Sequence, residues 1–290
     1  MELRLLQYFL MVAREGTISQ AAQVLHVSQP SLSRQLKKLE MDLGCTLFTR
    51  GSKHIELTEA GLRLREQAEE LLEMADRIET DFHTTPGTLA GKVRIGGGET
   101  PAMALIADVI AELHSTYPLL RFSLFSGNGF DVSERLDAGR IDFGLFIGNF
   151  DTKKYESLPL PAQDTWGAFM PADDPLADKT EITPEDLLDK PLVCSIQDLP
   201  ELPLWFKRDV SDLKIVATYN LLYNASLLAK RGIGYVISLK GIIDTSQESG
   251  LVFRPFKPAR LAPIYVAWKR YQTFSPAANV FLSTIREKWG

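Results

Sequence analysis

Ser28-Gln29-Pro30-Ser31-Leu32-Ser33-Arg34-Gln35-Leu36-Lys37-Lys38-Leu39 is the stretch on which the reading of this 290-residue chain turns. Ser28 is a good helix N-cap, and Pro30 falls in the first turn, where its missing N–H costs nothing. Leu32, Leu36, Leu39 and Leu43 recur at i, i+4, i+7 and i+11, which predicts a helix with one buried stripe. Its other face carries Gln29, Ser31, Ser33, Arg34, Gln35, Lys37 and Lys38. Upstream, Leu6, Phe9, Leu10 and Ala13 mark an amphipathic helix closed by Gly16. Thr17-Ile18-Ser19-Gln20 has the spacing of a capping box, so a second helix runs from about Ile18 to Leu25 with Ala21, Ala22 and Leu25 inward. A short helix, a tight turn and a helix with a polar, basic outer face make a helix-turn-helix. Such a helix fits the major groove. There Ser and Gln can bond base edges, Arg can pair with guanine and Lys can neutralise phosphate.

Leu47-Phe48-Thr49-Arg50 and His54-Ile55-Glu56-Leu57 alternate around Gly51-Ser52-Lys53, which predicts a β-hairpin with Arg50 and Lys53 near its tip. Beside a recognition helix such a hairpin is a wing, able to reach phosphate or the minor groove. Thr58 can cap a helix continuing to about Phe82. Along it Leu64, Ala68, Leu71, Ala75, Ile78 and Phe82 are spaced 4, 3, 4, 3, 4, a seam of period 3.5 suited to pairing with a second copy. At 1.5 Å per residue the helix spans about 37 Å.

The composition is that of a globular protein, 45% hydrophobic and 24% charged, and disorder or a disulfide scaffold is excluded. The length suggests two or three domains of about 100–200 residues. A formal net charge of −5 excludes a uniformly basic coat, so a nucleic-acid site must be a local patch. The charge is in fact segregated. Residues 28–54 hold five basic against two acidic side chains, and residues 59–82 hold three basic against eight acidic. A basic block beside an acidic helix suggests contact with a polyanion next to an element that avoids it, although two solvated faces would look the same.

These residues resemble the winged helix-turn-helix of LysR-type transcriptional regulators. The matching text is Phe9 with Ala21-Ala22, Ser28-Gln29-Pro30-Ser31-Leu32-Ser33, Leu39-Glu40, Leu43-Gly44, Leu47-Phe48-x-Arg50 and Leu57-Thr58-x-Ala60-Gly61. It covers essentially the first sixty residues. The resemblance implies a regulator that binds double-stranded promoter DNA and is switched by a small-molecule effector. It also implies dimerisation through the linker helix, by Leu64, Ala68, Leu71, Ala75 and Ile78, and assembly from homodimer to homotetramer. The expected DNA contacts are Thr17, Ser28, Gln29, Pro30, Ser31, Ser33, Arg34, Lys38, Arg50 and Lys53.

From Lys92 the chain changes character. Strands at Val93–Gly96, Phe122–Phe125, Phe143–Ile147, Leu192–Ile196, Ile215–Thr218, Tyr235–Ser238 and Ile264–Trp268 alternate with helices, which argues for a parallel α/β sheet. The pattern predicts two lobes, the last strand and helix returning to the first, like the periplasmic-binding-protein type of effector domain. Tyr117-Pro118, Gly127, Leu136-x-x-Gly139, Asp142-x-Gly144 and Gly232-x-Gly234 fall in the family's order, although the Leu-Pro common after the position of Thr100 is lacking. The expected boundaries are 1–58 for the winged helix-turn-helix, 59–88 for the linker helix and hinge, and 89–290 for the effector domain. Within the last, lobe I takes 89–161 and 267–290, and lobe II takes 162–266.

Ligands of such sheets sit outside the carboxyl ends of the strands. Thr100 is the leading candidate, read as the cap of a helix with Pro101 at its first position, whose free amides would hold a carboxylate. Ser126, Gly127, Asn128, Ser195, Gln197, Thr218 and Tyr219 complete the expected effector set, each with capping or turn-making as its plainer role. Glu99 would repel an anion and favours a neutral, zwitterionic or cationic effector.

Several chemistries find no support. His26, His54, His83 and His114 are scattered, and neither Cys45 nor Cys194 has a C-x-x-C partner, so no metal or cofactor is expected. Gly96-Gly97-Gly98 lacks the Gly-Lys-Ser/Thr of a phosphate loop, and no G-x-S-x-G elbow appears. Cys194 reads as a buried strand thiol before a redox sensor. The start of the chain lacks the long apolar core of a secretory signal, and no stretch approaches about 20 apolar residues, so a cytoplasmic protein is expected. A solute-binding protein would need that signal and no helix-turn-helix. An enzyme would need a nucleophile, base and orienting group, which the pattern does not offer.

Overall fold

This computed structural model describes residues 2–50, 55–82 and 89–290, which form two compact units, Met1–His83 and Thr84–Gly290.

The first unit opens with α1 (Leu3–Glu15), ended by Gly16 at φ 71°, a left-handed position that glycine takes without strain. In α2 (Ile18–Val24) the Thr17 hydroxyl accepts the Gln20 amide at 3.2 Å. The reciprocal half of the expected capping box differs, because the Thr17 hydroxyl donates to Gln20 Oε1 at 2.8 Å and the backbone N–H of Thr17 is not engaged by that side chain. α3 (Gln29–Leu43) follows, with Pro30 in its first turn and Gly44 as its left-handed C-cap. Leu32, Leu36 and Leu39 bury against Phe9, Val12, Ala21 and Ala22, and two alanines on α2 let the helices approach closely. Leu43 is 40% exposed, so the stripe ends one turn earlier than its spacing predicts.

β1 (Phe48–Arg50) and β2 (Ile55–Leu57) pair antiparallel, with Phe48 opposite Leu57. The Glu40 carboxylate on α3 accepts the amides of Leu47 at 2.8 Å and Phe48 at 3.4 Å, which ties the hairpin to that helix. α4 (Glu59–Phe82) starts at Thr58, whose hydroxyl accepts the Gly61 amide and donates to the Thr46 carbonyl. The first half of α4 belongs to this unit's core. Ala68 is buried, and Leu64 and Leu72 pack against the cluster around Phe9.

The second unit contains a nine-stranded sheet among the described residues. Its elements in chain order are β3 (Gly91–Gly97), α5 (Met103–Thr116), β4 (Leu120–Ser126), α6 (Gly129–Asp137), β5 (Phe143–Ile147), β6 (Tyr155–Pro171), β7 (Leu192–Ser195), α7 (Leu202–Phe206), β8 (Ile215–Tyr219), α8 (Leu222–Lys230), β9 (Tyr235–Leu239), β10 (Leu251–Pro255), β11 (Leu261–Lys269) and α9 (Pro276–Trp289). The order across the sheet is β4-β3-β5-β11-β6-β9-β7-β8, with β10 on β6. The sheet is mixed, not parallel throughout. β3 pairs parallel with β4 and β5, and β7 with β8 and β9, but β6 and β11 run antiparallel to their neighbours.

Those two strands join the lobes. The first half of β6 and most of β11 share a core with β3, β5, α5 and α9, around Phe143, Ile264 and Phe281. The second half of β6 enters the other lobe, where Ala168 and Met170 face one core and Phe169 the opposite one. Two covered faces explain why the strands of this lobe read as continuous apolar runs. The boundaries expected at 161/162 and 266/267 thus fall inside single strands.

The approach of α4 to the hairpin allows a test. A Cβ at Gly61 would lie 2.2 Å from the Leu47 carbonyl oxygen, a backbone atom that cannot swing aside as a side-chain end can. Gly61→Ala is expected to lower the stability of the first unit by about 1–3 kcal/mol, read as a reduced urea midpoint. An unchanged midpoint would contradict the packing described.

Candidate functional site

On α3 the buried leucine stripe leaves the polar residues outward. Gln29, Pro30, Arg34, Lys37 and Lys38 are exposed, and Ser31, Ser33 and Gln35 half-buried. Ser28 is also exposed, and its side chain does not cap the helix it precedes, so its hydroxyl stays available. Arg34 makes only a 3.4 Å bond from Nε to the Pro30 carbonyl. Lys38 meets Glu2 at 3.4 Å in an exposed pair of the kind that contributes little. Thr17 caps α2. Of Arg50 only the backbone is described, and Lys53 lies outside the described residues.

The expected dimer seam divides. Leu64 and Ala68 are spent on the core of their own unit. Leu71 at 43% and Ile78 at 56% are exposed, as is Met74 at 54%, and Ala75 is half-buried between them. Among the described side chains, α4 offers apolar surface at Leu71, Met74, Ala75 and Ile78 in its C-terminal half, with Leu62 also exposed near its start. The side chain of Phe82 lies outside the described residues.

In the second unit the expected effector residues do not all converge. Thr100 is buried and fully engaged, its hydroxyl donating to Asp164 Oδ2 at 2.6 Å and accepting the Ala102 amide at 3.0 Å. The helix behind it starts at Met103, after a turn at Pro101-Ala102, so Pro101 is not its first residue. Burial raises the Asp164 carboxyl above its usual range, against the opposing effect of the Thr100 bond. Ser126 and Thr218 are exposed and line neither cavity of the cleft.

The others do meet, around a narrow space of about 50 Å³ lined by Glu99, Gly127, Asn128, Ser195, Gln197 and Tyr219. Most are already bonded. Asn128 caps α6, with its Oδ1 accepting the amides of Phe130 and Asp131. The Tyr219 hydroxyl donates to the Ile237 carbonyl at 2.7 Å, and burial pushes its pKa up. Ser195 Oγ is buried without a hydrogen bond of good geometry, yet it lies near enough to Asp198 to soften the effect of burial there. Burial still pushes the Asp198 carboxyl up to about 6.

Two bonds cross between the lobes. Glu99 Oε2 accepts the Leu222 amide at the start of α8, at 2.7 Å. Gln197 Oε1 accepts the Gly129 amide at the start of α6, also at 2.7 Å. Each lobe thus places an acceptor on the N-terminus of a helix of the other, where free amides and the helix dipole favour it.

A larger cavity, about 560 Å³, adjoins this space. Phe130, Trp166, Gln197, Asp198, Glu201, Trp205 and Arg260 line it, with Phe146, Phe150 and Asp151. The sequence reading missed Trp166, Trp205 and Arg260. They sit on the interior of β6, on α7 and before β11, and no local motif announces them. Cys194 is buried in β7, and burial pushes its thiol up to about 12, so it carries no thiolate at neutral pH. Among the described residues no helix is long and apolar enough to cross a membrane.

Comparison with known proteins follows the same division. Residues 3–62 match the bacterial regulatory helix-turn-helix protein, lysR family, and residues 86–290 match the LysR substrate binding domain. The chain is 37% identical over 145 residues to the HTH-type transcriptional regulator ClcR of Pseudomonas putida, which covers 50% of this chain and 49% of ClcR. It thus spans about half the length of that relative. With the Hca operon transcriptional activator HcaR of Escherichia coli (strain K12) it shares 28% identity over 297 residues, 99% of this chain and 98% of HcaR. The crystal structure of full-length CbnR complexed with its target DNA superposes with a TM-score of 0.77 at 25% identity, covering 99% of each chain. On the strength of the two family models, which between them take in both units, the chain belongs to the LysR family of transcriptional regulators.

Proposed function

We propose that the protein is a sequence-specific DNA-binding transcriptional regulator, controlled by a small molecule held between the lobes of its second unit. The observation that carries this reading is the outward face of α3. Burial of Leu32, Leu36 and Leu39 consumes its apolar side, and Ser28, Gln29, Arg34 and Lys38 are left without a firm intramolecular partner. A helix with that face reads base edges with its N-terminal residues and phosphates with its lysines. Likeness to CbnR, seen with its target DNA, supports the same reading.

Two-fold assembly follows from the rest of the design. Leu71, Met74 and Ile78, with half-buried Ala75 between them, form an apolar stripe that a second copy of α4 would cover, giving a homodimer and, by further contacts, a homotetramer. Two recognition helices then read half-sites about one DNA turn apart. The effector acts by binding one arrangement of the assembly better than another, since equal affinity shifts nothing. The function is one of binding, in the cytoplasm, with no chemical step assigned to the cleft.

Selection of binding sites from a random duplex pool, followed by gel shift, tests the DNA contact. Arg34→Ala is expected to cost about 1–3 kcal/mol of discrimination at one base position. Unchanged affinity and an unchanged selected sequence would sink the assignment of α3. For the assembly, the double variant Leu71→Asp, Ile78→Asp is expected to sediment as a monomer. Retention of the wild-type mass would remove α4 from the interface.

A further inference from the structure

The cavity of about 560 Å³ holds opposite charges that do not meet. Arg260 is half-buried on one side of it. Its Nε is buried without a hydrogen-bond partner, and its Nη2 makes only a long, 3.5 Å bond to the Trp205 carbonyl. The guanidinium stands 5.4 Å over the Trp205 ring. Among the described residues no carboxylate pairs with it. A cation so placed has given up hydration and recovered little of it, and burial lowers its pKa accordingly. Asp198 and Glu201 line the same cavity from the segment after β7, and neither is ion-paired with a described residue. Asp151 lines it as well, so the protein keeps a cation and three acids in one chamber without letting them neutralise one another.

We propose that this cavity takes a zwitterionic ligand of the amino-acid type, with its carboxylate on Arg260, its ammonium on Asp198 and Glu201, and an apolar side chain against Trp166 and Trp205. The proposal rests on the effector reading above and names the class of molecule at that site. A planar carboxylate can accept two N–H bonds from a guanidinium. A simple anion would satisfy Arg260 but bring its charge toward the three acids, and a simple amine would do the reverse. Each singly charged ligand leaves one side of the chamber unpaired, which is how a site rejects a near neighbour.

Tryptophan-fluorescence titration of the full-length protein tests this. The probes are L-phenylalanine and L-leucine, each beside its deaminated and decarboxylated analogue: 3-phenylpropanoate and 2-phenylethylamine, 4-methylpentanoate and 3-methylbutylamine. At least one amino acid is expected to half-saturate at a concentration roughly tenfold below both of its analogues. In Arg260→Gln its advantage over the amine disappears. In Asp198→Asn its advantage over the carboxylate shrinks, and the two variants err in opposite directions, which a merely structural defect would not produce. An analogue that binds as tightly as its parent overturns the proposal, as does failure of both amino acids to saturate in the millimolar range. The effector reading is judged separately by gel shift. A protein-free metabolite extract that changes DNA affinity while the amino acids fail upholds it. An amino acid that fills the cavity without changing DNA affinity keeps the site and removes its regulatory role.

Discussion

Burial of three leucines on α3 is the constraint from which the first unit follows. Leu32, Leu36 and Leu39 lie on one side of a 15-residue helix, and the core formed by α1 and α2 accepts only that side. Each such side chain is worth about 1.5–3 kcal/mol when taken out of water. Rotating the helix to hide Arg34 and Lys38 would forfeit that and bury unpaired cations as well. The outward face is thus held by what lies behind it. Glu40 extends the constraint to the hairpin, because its carboxylate accepts two amides of the incoming strand and so sets the wing at a fixed offset from α3.

The second unit solves a different problem, that of keeping two lobes in register while leaving space between them. β6 and β11 pass from one to the other as paired antiparallel strands, with a register shift between Pro263 and Tyr265. The shift coincides with the stretch of β6 that contains Pro161, a residue with no N–H to give to a ladder. The lobes are bridged by the strands most marked by proline. The larger cavity opens beside these same strands, which supply Trp166 and Leu261 to its wall.

Much of this was legible in the sequence where the signals are local. Gly16 and Gly44 stop helices, Thr17 and Thr58 cap them, and the leucine spacing of α3 gives both its register and its exposed side. The same rules lose their hold in three places. The prolines of β6 disguise a 17-residue strand as a connecting stretch, because its pairing partner arrives about a hundred residues later. The seam of α4 looks continuous along the helix, yet Leu64 and Ala68 face a core that spacing alone does not reveal. Thr100 has the sequence of a helix cap open to a ligand, but its hydroxyl donates its hydrogen bond to Asp164, 64 residues away. In the cleft, Trp166, Asp198 and Arg260 become neighbours only through the crossing strands, and no motif carries that information.

The crossed bonds of Glu99 and Gln197 have a further bearing on energetics. Two helix termini that open on the cleft are already occupied by acceptors from the opposite lobe. A guest that seeks those amides must evict a resident of similar strength, so swapping acceptors there yields almost no net affinity while loosening the latch between the lobes.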